Sequence, residues 1–240
     1  MSMGQAVKIA LAGEGGQGVQ SIAEILAEAA HDLGKEALYI PNFGVEQRGG
    51  VSIAFVQISD QHIGAPKFIT ADILIPLSPR SIARTKQYAG KETVYVYDNS
   101  LIMPSEVNDQ IVGIQYFDTV PPCPTDTAAQ VVEDPKIPGE TKTYNFAKEG
   151  PGVDPKQIPA DVKKVVAIPA NDIAKNEFHP RVFNIIILGA VIGATEILPL
   201  EIIKASLETK FEDKFKADPK LRELNFGALE RGYQLVKKVM

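Results

Sequence analysis

The stretch Val7-Lys8-Ile9-Ala10-Leu11-Ala12-Gly13-Glu14-Gly15-Gly16-Gln17-Gly18-Val19 constrains the fold more than any other part of the sequence. An apolar run enters four glycines within six residues, and a helical pattern follows at once. That order predicts a buried strand, a tight loop and a helix N-terminus. Glycine permits positive φ and close approach of another group to the main chain. Unpaired N–H groups at a helix start, with the positive end of the helix dipole, form a natural seat for phosphate or carboxylate. A plainer reading also holds: the glycines serve only to pack the helix on its strand.

From Val19 to Leu33 the apolar residues Val19, Ile22, Ala23, Leu26, Ala29, Ala30 and Leu33 fall on one helical face, with Gly34 at the C-terminal glycine position. A second strand over Ala37 to Ile40 completes a strand–helix–strand unit. Gly13, Gly15 and Gly18 match the spacing of a dinucleotide fingerprint. The acid needed about 20 residues further on is missing, because Asn42 stands at the end of the second strand. An independent NAD-dependent dehydrogenase is therefore disfavoured. Gly18 is followed by Val19-Gln20 and not by the Lys-Ser/Thr of a P-loop.

A second glycine loop, Gly44-Val45-Glu46-Gln47-Arg48-Gly49-Gly50, carries a guanidinium. Arg48 either contacts an anion or a carboxylate through paired hydrogen bonds or is a solvated turn residue. Strands are expected over Val51 to Ser59, Asp72 to Leu77, Thr93 to Tyr97, Ile111 to Tyr116 and Val162 to Pro169, with a short edge segment over Ile63 to Phe68. Ser78-Pro79 opens a helix to about Tyr88, a capping hydroxyl followed by proline in the first turn. Asn171 to Lys175 reads as one helical turn. Val182 to Ala194 is the most apolar stretch and reads as a buried helix, with Gly189 and Gly193 allowing close approach of another helix. Its carboxamide, Asn184, either ties down a loop or faces a ligand. Amphipathic helices follow from Pro199 through Phe211 and to Val239.

Between Asp118 and about Asp161 the pattern breaks down, and eight of the chain's 17 prolines fall there. This segment is expected to be a long irregular insertion that is either functional or incidental. The fold expected is α/β: one three-layer domain over residues 1–240, with a mostly parallel or mixed central sheet and the proline-rich insertion about 118–161.

The net charge of −5 and scattered lysines give no basic footprint for nucleic acid. Cys123, the only cysteine, permits no internal disulfide and no four-thiolate iron–sulfur cluster within this chain. The three histidines have no metal-ligand spacing. No stretch reads as a signal peptide or membrane span, so a cytoplasmic protein is expected. An anion-binding loop without an evident acid, base or nucleophile fits a binding or organising subunit better than a complete enzyme.

The paired loops Gly13-Glu14-Gly15-Gly16-Gln17-Gly18-Val19 and Arg48-Gly49-Gly50, with Ala71-Asp72 at a strand start and the late Asn184-x-x-x-Leu188-Gly189-Ala190, resemble the gamma-type subunit of 2-oxoacid:ferredoxin oxidoreductases. The gamma-type domain is similar to the third domain of single-chain pyruvate:ferredoxin oxidoreductase. The resemblance implies a complex that oxidatively decarboxylates a 2-oxoacid to its acyl-CoA and passes electrons to ferredoxin. It places thiamine diphosphate with its Mg, and the iron–sulfur clusters, on partner subunits: alpha- and beta-type subunits and a ferredoxin-like subunit or ferredoxin. It implies that this chain helps to bind coenzyme A, through Gly13, Gly15, Gly16, Gln17, Gly18, Val19, Arg48, Gly49 and Gly50. The alternative is an assembly subunit whose glycine loops only dock the catalytic subunits. In isolation a homodimer is expected.

Overall fold

The computed structural model describes residues 6–42, 50–100 and 162–237, together with two short strands between them. The glycine loop closes β1 (Val7–Glu14) and opens α1 (Val19–Asp32). Gly34, at φ 74, ends α1 in a Schellman arrangement, with Lys35 N–H donating to the Ala30 carbonyl and Gly34 N–H to that of His31. The chain continues through β2 (Glu36–Asn42), β3 (Val51–Ser59), β4 (Ile73–Pro76), α2 (Pro79–Thr85, extended by a 3-10 turn over Lys86–Tyr88) and β5 (Val94–Asp98). Strands β6 (Gln130–Glu133) and β7 (Thr141–Tyr144) pair antiparallel in a separate two-stranded sheet. They lie within the segment expected to be irregular; the rest of that segment, the strand expected over Ile111 to Tyr116, and Cys123 lie outside the described residues. Then come β8 (Lys164–Ile168), α3 (Ala170–Glu177), α4 (Phe183–Thr195), α5 (Leu200–Lys210), α6 (Glu212–Ala217) and α7 (Pro219–Lys237).

The main sheet has six strands in the order β2-β3-β1-β4-β5-β8. It is mixed: β1, β4, β5 and β8 run parallel, and β3 runs antiparallel to both β1 and β2. Alternation along β1 sends Ile9 and Leu11 into a large core with α1, α3, α4, α5 and α7, and Ala10 into a smaller one with Leu74, Ile82 of α2, Tyr95 and Tyr97. The three layers are thus unequal.

Helix α4 is buried nearly all round. A Cβ on Gly189 would stand 2.0 Å from the Leu229 carbonyl oxygen, and one on Gly232 2.0 Å from that of Ile186. The α4–α7 crossing is therefore backbone against backbone, as the Gly189/Gly193 spacing implies. The expected edge segment Ile63 to Phe68 is not a strand. Gly64 and Pro66 break it, since proline has no N–H for a ladder, and the Ala65 carbonyl instead accepts from Gln57 Nε2 at 2.8 Å. The turn expected over Asn171 to Lys175 is longer, because the Asp98 carboxylate accepts from Asn171 N–H at 2.8 Å and holds the start of α3.

Candidate functional site at the sheet switch point

Helix α1 returns the chain from β1 toward β2 on one face, whereas α2 carries it from β4 to β5 on the other. Neighbouring strands β1 and β4 therefore send their connections in opposite directions. In open α/β sheets the crevice at such a switch point, outside the carboxyl ends of the strands, is where ligands bind.

The register brings the start of β3 to the first sequence-predicted loop there. Gly13 pairs with Ser52 and Glu14 with Val51, so Gly50, just before β3, stands beside the start of the first glycine loop. Arg48 and Gly49 lie outside the described residues. Gly15 and Gly16 are exposed. Gly16 has φ 91, and Gly18, the N-cap of α1, has φ 76; both demand the conformational freedom of glycine.

Gln17 and Val19 turn inward. The Gln17 side chain accepts from Glu14 N–H at 2.7 Å and donates to the Leu77 carbonyl at 3.0 Å, tying the end of β1 to the end of β4. Its carboxamide is occupied within the fold, and its backbone N–H donates to the Glu14 carbonyl at 3.1 Å, closing the turn. Val19 is 2% exposed and belongs to the main core. A Cβ on Gly13 would meet Gln17 Oε1 at 2.7 Å and Val19 Cγ2 at 2.8 Å, so that glycine makes room for the loop's own anchors.

Helix α1 has no side-chain cap and no acidic residue in its first turn. Ile22 N–H donates to the Gly18 carbonyl as the first intrahelical bond, and the N–H groups before it have no intrahelical acceptor. The side chains of that turn are held from outside. Gln20 Nε2 donates to Ser52 Oγ at 2.5 Å, and the Tyr39 hydroxyl donates to Gln20 Oε1 at 2.6 Å. Burial, and then the Glu24 carboxylate, push the Tyr39 hydroxyl above its ordinary pKa, so it remains a donor. Lys210 of α5 pairs with Glu24 at 2.6 Å, fixing the next turn.

Two further residues had a signal in sequence. Asn184, in the first turn of α4, packs against the loop: a Cβ on Gly18 would lie 2.3 Å from its Nδ2. Its Oδ1 is buried without a hydrogen-bond partner. Asp72, by contrast, stands at the far end of the sheet, its carboxylate accepting from Lys8 N–H at 2.8 Å; it pins β4 to β1. Gln20, Ser52, Tyr39 and Leu77 gave no signal, because their contacts arise only from strand pairing. No cluster of three potential metal ligands occurs among the described residues, and no helix among them is long and apolar enough to cross a membrane.

Fold and site together define a doubly wound α/β domain whose switch point presents one glycine-capped, open helix N-terminus. The sequence matches the model of the family described as pyruvate ferredoxin/flavodoxin oxidoreductase over residues 8–235. The chain belongs to this family. It is 27% identical over 226 residues to pyruvate synthase subunit PorC of Thermotoga maritima, covering 94% of this chain and 92% of that protein. It is 36% identical over 100 residues to 2-oxoglutarate synthase subunit KorC of Archaeoglobus fulgidus, covering 42% of this chain and 54% of that one. Among solved structures, the gamma subunit of a keto/oxoacid ferredoxin oxidoreductase from Geobacter sulfurreducens superposes with a TM-score of 0.62 at 21% identity, over 97% of each chain. A 2-oxoglutarate:ferredoxin oxidoreductase from Magnetococcus marinus, solved with 2-oxoglutarate, coenzyme A and succinyl-CoA bound, gives 0.69 at 21% identity. The match covers 98% of this chain but 32% of that one. At these identities the structural likeness establishes the shared fold.

Proposed function

We propose that this chain is the gamma-type subunit of a cytoplasmic 2-oxoacid:ferredoxin oxidoreductase and that its switch-point loop binds the diphosphate of coenzyme A. The observation that carries the proposal is the α1 N-terminus, which is left uncapped and without a first-turn acid at the place where the fold binds ligands. The coenzyme A bound to the related Magnetococcus enzyme supports the choice of ligand. In this reading the backbone of Gly15, Gly16, Gly18 and Val19 donates to the phosphates, and Gln17 and Val19 hold that backbone rigid from beneath. The role of the chain in the reaction is to seat and orient the acyl acceptor. Relatives of this chain are named as subunits of larger enzymes, which implies other subunits here. We assign thiamine diphosphate and the iron–sulfur clusters to those partners, in keeping with the single cysteine of this chain.

Calorimetric titration of the full chain with coenzyme A, with NAD and ATP as controls, tests the proposal. Selective binding of coenzyme A is expected. A flat titration, both alone and after reconstitution with the partner subunits, would overturn it. Gly16→Leu sharpens the test. A Cβ there meets nothing within 4 Å, so the chain should stay folded while losing about 1–3 kcal/mol to backbone strain. Coenzyme A affinity should fall roughly tenfold or more, because a side chain would occupy the phosphate approach.

A further inference from the structure

The smaller core is left open at one edge of the sheet. Along β8, Val166 and Ile168 join the larger core with α3 and α4, while Val165, 44% exposed, and Ala167, also exposed, alternate to the other face. In the parallel register Val165 pairs with Tyr95 and Ala167 with Tyr97, and both tyrosines are buried in the smaller core with Ile82 of α2. The apolar surface on the α2 side thus extends onto an edge strand and is exposed there.

The hand of the crossovers indicates which chain segment belongs on it. Helix α1 carries the chain from β1 past the place of β3 to β2 on the larger-core face, and α2 carries it from β4 to β5 in the opposite direction on the other face. Opposite directions on opposite faces give both crossovers one hand, and nearly all parallel units are right-handed. Strand β8 is parallel to β5 and lies one place further in the direction that α2 travels. The same hand puts the connection from β5 to β8 on the α2 side. Its ends agree. At the carboxyl end of β5 the Asp98 carboxylate accepts from the N–H and the hydroxyl of Ser100 at 2.8 and 2.6 Å. At the amino end of β8, Lys163 N–H donates to the Thr93 carbonyl at 3.0 Å, and Val162 just before it packs against the smaller core. Returning along a five-residue strand takes only about 17 Å, so the connection has far more chain than the return needs. It also contains the β6–β7 hairpin, and two strands alone are marginal without a surface to pack on.

We propose that the Val165–Ala167 face of β8 is the docking surface for the chain's own residues 101–161, which cross on the α2 side and complete the smaller core. The proline-rich insertion then belongs to this domain's own packing and is not an arm for a partner subunit.

Single thiols on this face test the proposal. Val165→Cys and Ala167→Cys are made separately in a Cys123→Ser background, because Cys123 is the only native cysteine. Ile69→Cys, at a position 85% exposed, is the open reference. Alkylation is timed on the isolated full chain, and each rate is divided by that of the same thiol in the urea-unfolded chain. Both thiols on β8 should react at least roughly tenfold more slowly than the reference, since reaction waits on local opening. Such protection in a chain that sediments as a monomer upholds the proposal. Rates equal to the reference overturn it. Protection seen only in a dimer, or only after reconstitution with partner subunits, assigns the face to another chain and also overturns it. If the cysteine variants do not fold, Val165→Thr, which keeps the β-branched shape, decides by thermal unfolding of the monomeric full chain. Burying its hydroxyl should lower the midpoint by roughly 2–8 °C, whereas an unchanged midpoint overturns the proposal.

Discussion

Helices α1 and α2 start from the same edge of the sheet, each directly after a parallel strand, and their N-termini are finished in opposite ways. At α2 the chain closes itself: Ser78 Oγ accepts from Ser81 N–H, Ser81 Oγ accepts from Ser78 N–H, and Pro79 fills the first turn where no N–H is needed. At α1 the N-cap is a glycine in left-handed conformation, with no side chain to bond and no acid to meet the dipole. Both ends cost the same backbone entropy to form, yet only one recovers the capping energy of about 0.5–2 kcal/mol. Of the two helix starts at the switch point, α1 is the one left open to a ligand.

The largest expected effect comes from giving Gly18 a side chain. Gly18→Ala puts a Cβ at φ 76 and 2.3 Å from Asn184 Nδ2. Left-handed strain of about 1–2 kcal/mol and overpacking of about 1–3 kcal/mol should together cost about 2–5 kcal/mol of unfolding free energy in denaturant titration. Coenzyme A binding should be lost with it. A cost below about 0.5 kcal/mol would mean that the loop relaxes freely and that its geometry is not a fixed seat.

How far the site was legible follows from the range of the interactions that make it. Signals acting within one turn or one strand could be read directly: the Ser78-Pro79 start of α2, the Gly34 end of α1, and the apolar run of α4 with its glycine spacing. The antiparallel sense of β3 could not, because Val51–Ser59 alternates in the same way whichever neighbour it joins. That pairing is what carries Gly50, the last residue of the second glycine motif, to the first loop and gives Gln20 its partner in Ser52. Gln17 was read only as part of a glycine motif, since its acceptor at Leu77 lies 60 residues away in sequence. Asp72 belonged to the same family pattern as the loops, yet it lies at the opposite end of the sheet, because a resemblance carries both the residues that hold a fold and those that hold a ligand.

A smaller effect tests the closed helix end. Ser78→Ala removes the acceptor of Ser81 N–H in a fully buried cap while leaving the bond from Ser78 N–H to Ser81 Oγ, and should cost about 1 kcal/mol, within the range for capping residues. Coenzyme A affinity should change by less than roughly twofold. A tenfold loss of affinity at equal stability would mean that both N-termini face the ligand, and the contrast between them would then carry no functional meaning.

The smallest effect is expected where α1 is held from outside. Tyr39→Phe deletes the hydroxyl that donates to Gln20 Oε1 and should cost about 0.5–1.5 kcal/mol, the net worth of one hydrogen bond. The value should lie near the lower bound, because this contact is only partly buried and water can replace it. The sign with pH follows from the raised pKa of Tyr39. A group whose pKa is higher in the folded than in the unfolded chain contributes stability that is fully present below the unfolded value, about 10 for tyrosine, and lost as pH rises through the folded one. The difference between wild type and Tyr39→Phe should therefore be constant from neutral to mildly alkaline pH and shrink only above about pH 10. A difference that shrinks well below that pH would show that the hydroxyl ionises early and does not serve as the donor. The support of the first turn of α1 would then rest on Ser52 and the backbone of β3 alone.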